Sequence, residues 1–453
     1  MNVPEITSDN SEASGVFHSY AAVISYLYSR LPMFSRLGAI AIKADLINTE
    51  KFCAHLSEPH KKFKSVHIGG TNGKGSSSHM LAAILQTAGY KTGLYTSPHL
   101  KNFRERIRIN GEMISEQDVL EFVNKNYEFI EGIEPSFFEA TVAMAFNHFA
   151  INEVDIAIIE VGLGGRLDST NVINPELSLI SNIGYDHMNI LGNTLQLIAG
   201  EKAGIIKKGA PVVISQQQSE VADIFLKKAE EQQSKIIFAS EEWSIEMSSS
   251  QQNLPEFLKL DIRQRNDTIP ACFSFTEIEL DLTGTYQLKN LGGVLSAVKQ
   301  LRKLDYEISD QNIIEALRQV KALTGLMGRW QMLQEAPLVI CDTGHNEDGI
   351  REVMKNIEQS SYNRLHMVIG MLGDKDSSGI LKMFPEEATY YFCQPDLPRA
   401  KPAIELRDEA NTYNLHGEYY SSVGDALDAA KKSANKNDLI FVGGSTFVVA
   451  EVV

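Results

Sequence analysis

The stretch KSVHIGGTNGKGSSSHMLAAILQTAGY, residues 64–90, fixes the kind of fold in which the chain can take part. Its apolar, β-branched start predicts a strand, its glycines a tight turn, and its apolar spacing beyond Ser76 a helix. A strand that passes through a glycine turn into a helix is the unit of parallel αβ sheets. Closely spaced glycines let backbone N–H groups turn inward on a phosphate chain, and the helix that follows adds the positive end of its dipole. Lys74 supplies a point charge for the β and γ oxygens, with Ser76 or Ser77 in reach of Mg²⁺. The spelling departs from G-x-x-x-x-G-K-[ST] in two places. Ile68 stands where the first glycine belongs, and Gly75 separates Lys74 from the hydroxyl.

The same rhythm continues down the chain. Strand patterns SVHIGG, KTGLYTS, VDIAIIEVG, LSLISNIG, PVVIS and KIIFAS alternate with helical ones such as SSSHMLAAILQTAG and SFFEATVAMAFNHFAIN, which predicts a mainly parallel sheet. Residues 241–285 lose the alternation and read as an antiparallel excursion at the edge of that first unit. A second αβ series begins near residue 330 with LVICDTGH, HMVIGML, TYYFCQ, HGEYY and DLIFVGG. Between the two series, KALTGLMGRW ends a helical pattern in Gly325 and Gly328 and reads as a hinge. A chain of 453 residues is long for one core, so two domains are expected, at 1–322 and 323–453.

A net charge of −16 excludes a general nucleic-acid binder, which needs a basic face. A local basic pocket remains open to small anions. In KNFRERIRIN, a strand would place Arg104, Arg106 and Arg108 on one face, either as such a pocket or as a solvated surface. No window approaches the 18 or more apolar residues of a membrane span. The polar start MNVPEITSDNSEASG lacks the features of a signal peptide and reads as a frayed leader. Cys53, Cys272, Cys341 and Cys393 are scattered without metal-ligand spacing and read as reduced cytosolic thiols. A cytoplasmic location follows as an expectation.

From GGTNGKGS onward, nine further segments in order resemble the Mur-type amide ligases, in the dihydrofolate synthase/folylpolyglutamate synthase branch. They are LYTSPHL with RERIRING, SFFEATVA, EVGLGGRLDSTN, NIGYDHMNILG, GEKAGIIK, GRW, DTGHN, GMLGDKD and FVGGSTFVV. The resemblance runs from about residue 30 to the C-terminus. It implies a P-loop-containing, mainly parallel N-terminal ATPase domain and a smaller Rossmann-like α/β C-terminal domain. It also implies an ATP-dependent ligase that adds L-glutamate to dihydropteroate, to reduced folate, or to both, through an acyl phosphate. A monomer with no membrane partner is expected.

Site residues follow from the same resemblance. Asn72, Gly73, Lys74, Gly75 and Ser76 would hold ATP, together with Asn290 for adenine, Arg329 from the hinge and Asp342 from the second domain. Ser97, Glu160 and His187 would form the metal site. Lys202, by default a solvated helix lysine, would be carbamylated and help to hold a second Mg²⁺. Lys74, Lys202 and His345 carry the catalytic roles, with His345 facing the incoming glutamate or the acyl phosphate. Ser136, Phe138, Asp168, Ser169 and Ser445 would contact the other substrates, although helical phenylalanines in so apolar a segment are core residues by default. Two spellings depart from the family: Met327 replaces the usual proline before G-R, and Thr343–Gly344 replace an alanine-containing D-x-A-H-N.

Three rival readings can be weighed on the sequence. A ligase acting on a cell-wall nucleotide-sugar acid is disfavoured by GGRLDSTN and SFFEATVA. A P-loop switch or transport ATPase follows the loop lysine directly with Ser or Thr. A nucleotide kinase gives no reason for a C-terminal domain carrying D-x-x-H-N.

Overall fold

The computed structural model of the chain describes residues 16–38, 43, 45–249, 256–265, 274–373 and 377–453. The polar N-terminal stretch read as a leader, Cys272, and the DKD of GMLGDKD lie outside the described residues.

Eight strands form the first sheet: β1 (Lys64–Gly69), β2 (Thr92–Tyr95), β3 (Ile107–Ile109), β4 (Glu112–Met113), β5 (Ile156–Glu160), β6 (Leu177–Ile180), β7 (Val212–Ile214) and β8 (Ile236–Phe238). Their order is β4-β3-β2-β5-β1-β6-β7-β8, and the pairings from β2 to β8 are parallel. Strands β9 (Trp243–Met247), β10 (Leu258–Gln264) and β11 (Ser274–Leu280) make a separate antiparallel sheet, the excursion expected from the loss of alternation. The third sheet contains β12 (Gln331–Glu335), β13 (Leu338–Cys341), β14 (Leu365–Ile369), β15 (Thr389–Cys393), β16 (Gly417–Tyr420) and β17 (Leu439–Gly443). Its order is β12-β13-β17-β14-β15-β16, parallel apart from β12.

Burial explains why the loop of the first sheet is held so firmly. In the helix Lys74–Thr87 every residue from Gly75 to Leu85 is buried. It packs on β1, β2 and β5 on one side and on the helices Gln287–Lys303, Asp310–Leu317 and Val320–Thr324 on the other. Met80, Leu81, Ile84 and Leu85 share one core with Val66, Ile68, Ile156, Ile158, Leu177 and Leu179. At about 1.5–3 kcal/mol for each such side chain, this burial anchors the helix whose N-terminus closes the loop. Parallel pairing sets Ile68 opposite Glu160, so the end of β5 delivers a carboxylate beside the loop that follows β1. Ligands of open αβ sheets bind at such carboxyl ends.

The three arginines of KNFRERIRIN do not share a strand face. Asn102 caps a 3₁₀ turn at Phe103–Arg106, with Glu105 reaching back to the cap backbone, and only Ile107–Ile109 is strand. The side chains therefore diverge. Arg104 lies by Glu116 and the Tyr20 ring, Arg106 donates through Nε to His99 Nδ1 at 2.7 Å, and Arg108 donates to the Gly111 carbonyl at 2.8 Å. Arg106 and Arg108 are buried, so a solvated face is excluded for them.

Candidate active site

The turn between β1 and its helix can be built only with glycine at two positions. Gly70 has φ +135° and Gly73 φ +86°; a Cβ would lie 1.8 Å from Ser181 Oγ at the first and 2.2 Å from Asn290 Oδ1 at the second. Thr71 N–H donates to the Asn182 carbonyl at 2.9 Å and Asn72 N–H to Asn182 Oδ1 at 2.8 Å. Lys74 Nζ donates to the Gly70 and Thr71 carbonyls at 3.1 and 3.0 Å. Gly75 sits under two site residues: a Cβ there would meet Arg329 Nη2 at 3.2 Å and the Glu160 carboxylate at 3.8 and 3.9 Å. Behind the loop, Gln287 Nε2 donates to Ser76 Oγ at 3.1 Å and Asn290 Nδ2 to Gln287 Oε1 at 2.8 Å.

A cleft of about 410 Å³ opens in front of this loop, between the two larger sheets. Asn72, Gly73, Lys74, Gly75, Ser76, Ser97, Glu160, Asn290, Arg329, Asp342 and His345 line it. Residues far apart in sequence thus meet on one wall. The hinge contributes Arg329, whose Nη1 donates to the Gly328 carbonyl at 3.2 Å and to Thr343 Oγ1. The buried Asp342 accepts from Tyr286 OH at 2.5 Å, Trp330 N–H at 2.7 Å and Gly344 N–H at 2.8 Å, which ties hinge, third sheet and first domain together. Burial raises its carboxyl above the ordinary range.

Glu160 is buried, and burial pushes its pKa up to about 7 against the opposing pull of Lys74 and Arg329. Ser97 N–H donates to its Oε2 at 3.3 Å. A buried carboxylate at the head of a cleft, reached by one backbone donor and flanked by a serine, fits a hard divalent cation, which takes oxygen ligands and water. His187 stands apart from this wall. Its backbone is left-handed (φ 49°), its ring meets Phe34 edge-on at 5.4 Å, and its Nε2 lies 3.8 Å from Asp186 Oδ1. Among the described residues no three His, Cys, Asp or Glu side chains form a metal-binding cluster.

Lys202 is not the solvated lysine of the default reading. It is buried, and its Nζ donates to the Gly70 carbonyl at 2.9 Å from behind the loop. Burial first, and then the charge of Lys74, depress its pKa to about 7. Asp168 is turned inward: its carboxylate accepts from Leu163 N–H at 2.8 Å, Thr170 N–H at 3.0 Å and Thr170 Oγ1. Ser136 caps the helix Phe137–Ile151 and exchanges bonds with Glu139, while Ser445 caps Thr446–Ala450. Phe137 is a core residue, but the half-buried Phe138 reaches across to Gly162, where a Cβ would lie 2.4 Å from its ring. Ser169 is buried in the 3₁₀ turn after Asp168. None of Lys202, His187, Ser136, Phe138, Asp168, Ser169 and Ser445 lines the cleft itself.

Two residues to which the sequence assigned no role, Asp186 and the motif residue Asn346, tie the domains together. Asp186 Oδ2 accepts from Asn346 Nδ2 at 3.1 Å and lies 3.2 Å from His345 Nε2. Asn346 also forms a reciprocal amide pair with Asn72 of the loop, at 3.0 and 3.1 Å. The signal was present in YDH and DTGHN, but a polar residue next to a recognised one gives no direction for its side chain.

A strand–glycine turn–helix facing a hinge arginine, a buried carboxylate and a second αβ sheet is the layout of a nucleotide-dependent ligase. Family models match in two stretches, "Mur ligase middle domain" over residues 68–298 and "Mur ligase, glutamate ligase domain" over 328–446. The chain belongs to the Mur ligase family and is an ATP-dependent ligase. Within it, the relatives fall in the dihydrofolate synthase/folylpolyglutamate synthase branch. The dihydrofolate synthase/folylpolyglutamate synthase of Bacillus subtilis is 33% identical over 447 residues, covering 96% of this chain and 99% of that one. Among solved structures, folylpolyglutamate synthase from Thermotoga maritima superposes with a TM-score of 0.78 at 31% identity, covering 96% and 95% of the two chains. Escherichia coli FolC in complex with DHPP and ADP gives a TM-score of 0.82 at 27% identity, covering 96% and 97%.

Proposed function

We propose that this ligase joins L-glutamate to the carboxyl of dihydropteroate and to the γ-carboxyl of a reduced folate, through an acyl phosphate. The observation that carries this reading is one cleft lined by the loop lysine, the hinge arginine, a buried carboxylate and residues of the second domain, Asp342 and His345 among them. The relatives support the substrates: several are named for both activities, and one solved neighbour from Yersinia pestis is complexed with AMPPNP and Mn ion, another with Mn, AMPPNP and L-glutamate bound.

In this reading Lys74 and the loop N–H groups hold the β and γ phosphates, Asn290 takes the adenine, and Arg329 reaches the phosphates from the hinge. An oxygen of the substrate carboxylate attacks the γ-phosphorus, and the bond to the β-bridging oxygen breaks to release ADP. The glutamate nitrogen then attacks the acyl carbon, phosphate leaves, and the amine gives up a proton. Positioning and charge stabilisation dominate such a transfer, so the site needs cations and N–H groups rather than a nucleophile of its own. His345 and Asp342 present the second domain to the reacting centre, and the Asp186 and Asn346 contacts hold that face closed against water. Ser97 and Glu160 would hold Mg²⁺, with His187 brought to it from its neighbouring turn; the ion supplies charge neutralisation at the phosphates. The depressed Lys202 amine is suited to carbamylation, which would make it an oxygen ligand for a second ion beside Lys74. Phe138, with Ser136, Asp168 and Ser169 around it, would receive the pteridine, and Ser445 the glutamate.

The division at residues 322 and 323 belongs to the same proposal, Gly325 lying between the two matched stretches and Gly328 opening the second. So do a monomeric state and a cytoplasmic location. No helix among the described residues is long and apolar enough to cross a membrane, and the three described cysteines are free and buried.

The acyl phosphate is tested with dihydropteroate carrying ¹⁸O in its carboxylate. One labelled oxygen should appear in the inorganic phosphate for each glutamate joined; unlabelled phosphate would sink the mechanism.

A further inference from the structure

One buried histidine has no part in the mechanism above, yet it is bonded to the wall assigned to the pteridine. His67 lies on β1, fully buried, and its Nε2 is 2.9 Å from Thr170 Oγ1. The same hydroxyl is hydrogen-bonded to Asp168 Oδ1, which also accepts from Thr170 N–H at 3.0 Å. A hydroxyl has one proton, so it serves either the carboxylate or the imidazole. His67 Nδ1 decides between them, because it is buried with no partner among the described residues. Orphaned N–H groups are rare in protein interiors and acceptors with an unused lone pair are commoner, so the ring proton belongs on Nε2. The order is therefore His67 Nε2–H to Thr170 Oγ1, and Thr170 O–H to Asp168 Oδ1. Burial, with Lys207 nearby, lowers the His67 pKa to about 3 and holds the ring neutral.

The two oxygens at the end of this chain are unequal. Oδ1 carries both Thr170 donors, whereas Oδ2 takes the Leu163 N–H at 2.8 Å. A carboxylate oxygen accepts about two hydrogen bonds, so what Asp168 has left for a ligand lies on Oδ2. The Gly162–Leu163 peptide that holds Oδ2 is the one against which the Phe138 ring rests: a Cβ on Gly162 would lie 2.4 Å from that ring. In the ligase reading on which this inference rests, Phe138 and Asp168 receive the pteridine, whose amino and ring N–H groups are donors. We infer that Thr170 and His67 are positioning residues for pteridine binding: the imidazole turns the hydroxyl onto Asp168 Oδ1, which holds the carboxylate with Oδ2 toward a pteridine N–H. Neither residue lines the cleft assigned to the nucleotide, so their loss should be felt by the pteridine and not by ATP.

Calorimetric titration of the full chain with dihydropteroate, in the presence of Mg²⁺ and AMPPNP, tests this. Thr170→Val, which keeps the shape and loses the hydroxyl, should weaken dihydropteroate about tenfold, and Thr170→Ser should restore it to within about twofold. His67→Leu should cost about threefold, and His67→Gln, which keeps an N–H donor, should recover most of that. In turnover assays the losses should fall on KM for dihydropteroate, with kcat and KM for ATP unchanged, a split that a general loosening of the fold would not give. In ¹⁵N-histidine spectra of the wild type, the His67 signal, assigned by its absence from His67→Gln, should show the proton on Nε2. It should shift when dihydropteroate is added to the AMPPNP complex, an outcome independent of how Thr170→Val folds. A proton on Nδ1, an unmoved signal, or a loss in Thr170→Val that falls equally on ATP would overturn the inference. Asp168→Asn, whose amide oxygen would go to the Thr170 donors and its NH₂ to the pteridine, separates the inference from the reading beneath it. Weakened dihydropteroate binding by Asp168→Asn with normal binding by Thr170→Val would overturn the positioning role alone. Normal binding by Asp168→Asn would overturn the pteridine reading of that carboxylate itself.

Discussion

Two buried charges beside the loop make opposite demands on pH. Lys202 titrates near 7 in the folded chain, against an ordinary 10.5. The unfolded chain binds the extra proton between those values, so this lysine makes stability rise as pH goes from about 7 to about 10.5. Replacing it in Lys202→Met should flatten that part of the urea-midpoint profile relative to wild type. Glu160 titrates near 7 against an ordinary 4.5, so the unfolded chain loses its proton first and stability falls as pH rises through that interval. Glu160→Gln should therefore raise the melting temperature of metal-free protein at pH 8, by about 2 °C or more, while abolishing turnover. A variant that is both less stable and inactive would show that Glu160 is a structural acid rather than a site carboxylate. Neither shift was legible in the sequence. A strand-end glutamate and a helix lysine look alike whether solvated or buried, and their surroundings are set by β1, β5 and the loop meeting in space.

The glycine turn was legible as an element, because its residue types, its entry strand and its exit helix all agree. Its two irregular positions have unequal consequences in the structure. Ile68 is an ordinary buried strand residue, whereas Gly75 lies beneath Arg329 and Glu160. Gly75 has helical backbone, so Gly75→Ala should fold as well as wild type or slightly better, by up to about 1 kcal/mol. It should still lower kcat/KM for ATP about tenfold or more, because the added methyl displaces the arginine. By contrast, Gly73→Ala faces both a left-handed φ and Asn290 Oδ1 at 2.2 Å. It should lose about 1 kcal/mol or more of stability along with nucleotide binding. Thermal melts and ATP titrations of the two variants separate these outcomes. The KNFRERIRIN segment shows where pattern reading fails at this scale. Alternation implied a strand, but the Asn102–Glu105 capping box turned its first half into a 3₁₀ turn, and local side-chain-to-backbone bonds outweighed periodicity.

At the scale of the whole molecule, the contacts that draw the second αβ unit against the first include Asn72 with Asn346, Asp186 with His345 and Asn346, and Arg399 with the Phe34 carbonyl and ring. The alternation of strands and helices that makes each unit a mainly parallel sheet was legible, but the strand order and these contacts were not, since the contacts join residues 159 to 365 positions apart. Asp186→Ala should leave the melting temperature nearly unchanged and lower kcat by at least about tenfold, with uncoupled ATP hydrolysis rising as water reaches the cleft. Unaltered coupling would mean that these contacts do not seal the site. The central claim is that both domains serve one reaction, the joining of glutamate to a pteroyl carboxylate. It is tested most directly by ADP release measured in parallel with dihydropteroate, with tetrahydrofolate and with neither, each with and without L-glutamate. Sustained release that requires glutamate together with either pteridine is the predicted result; release at the same rate with no pteridine present would contradict it.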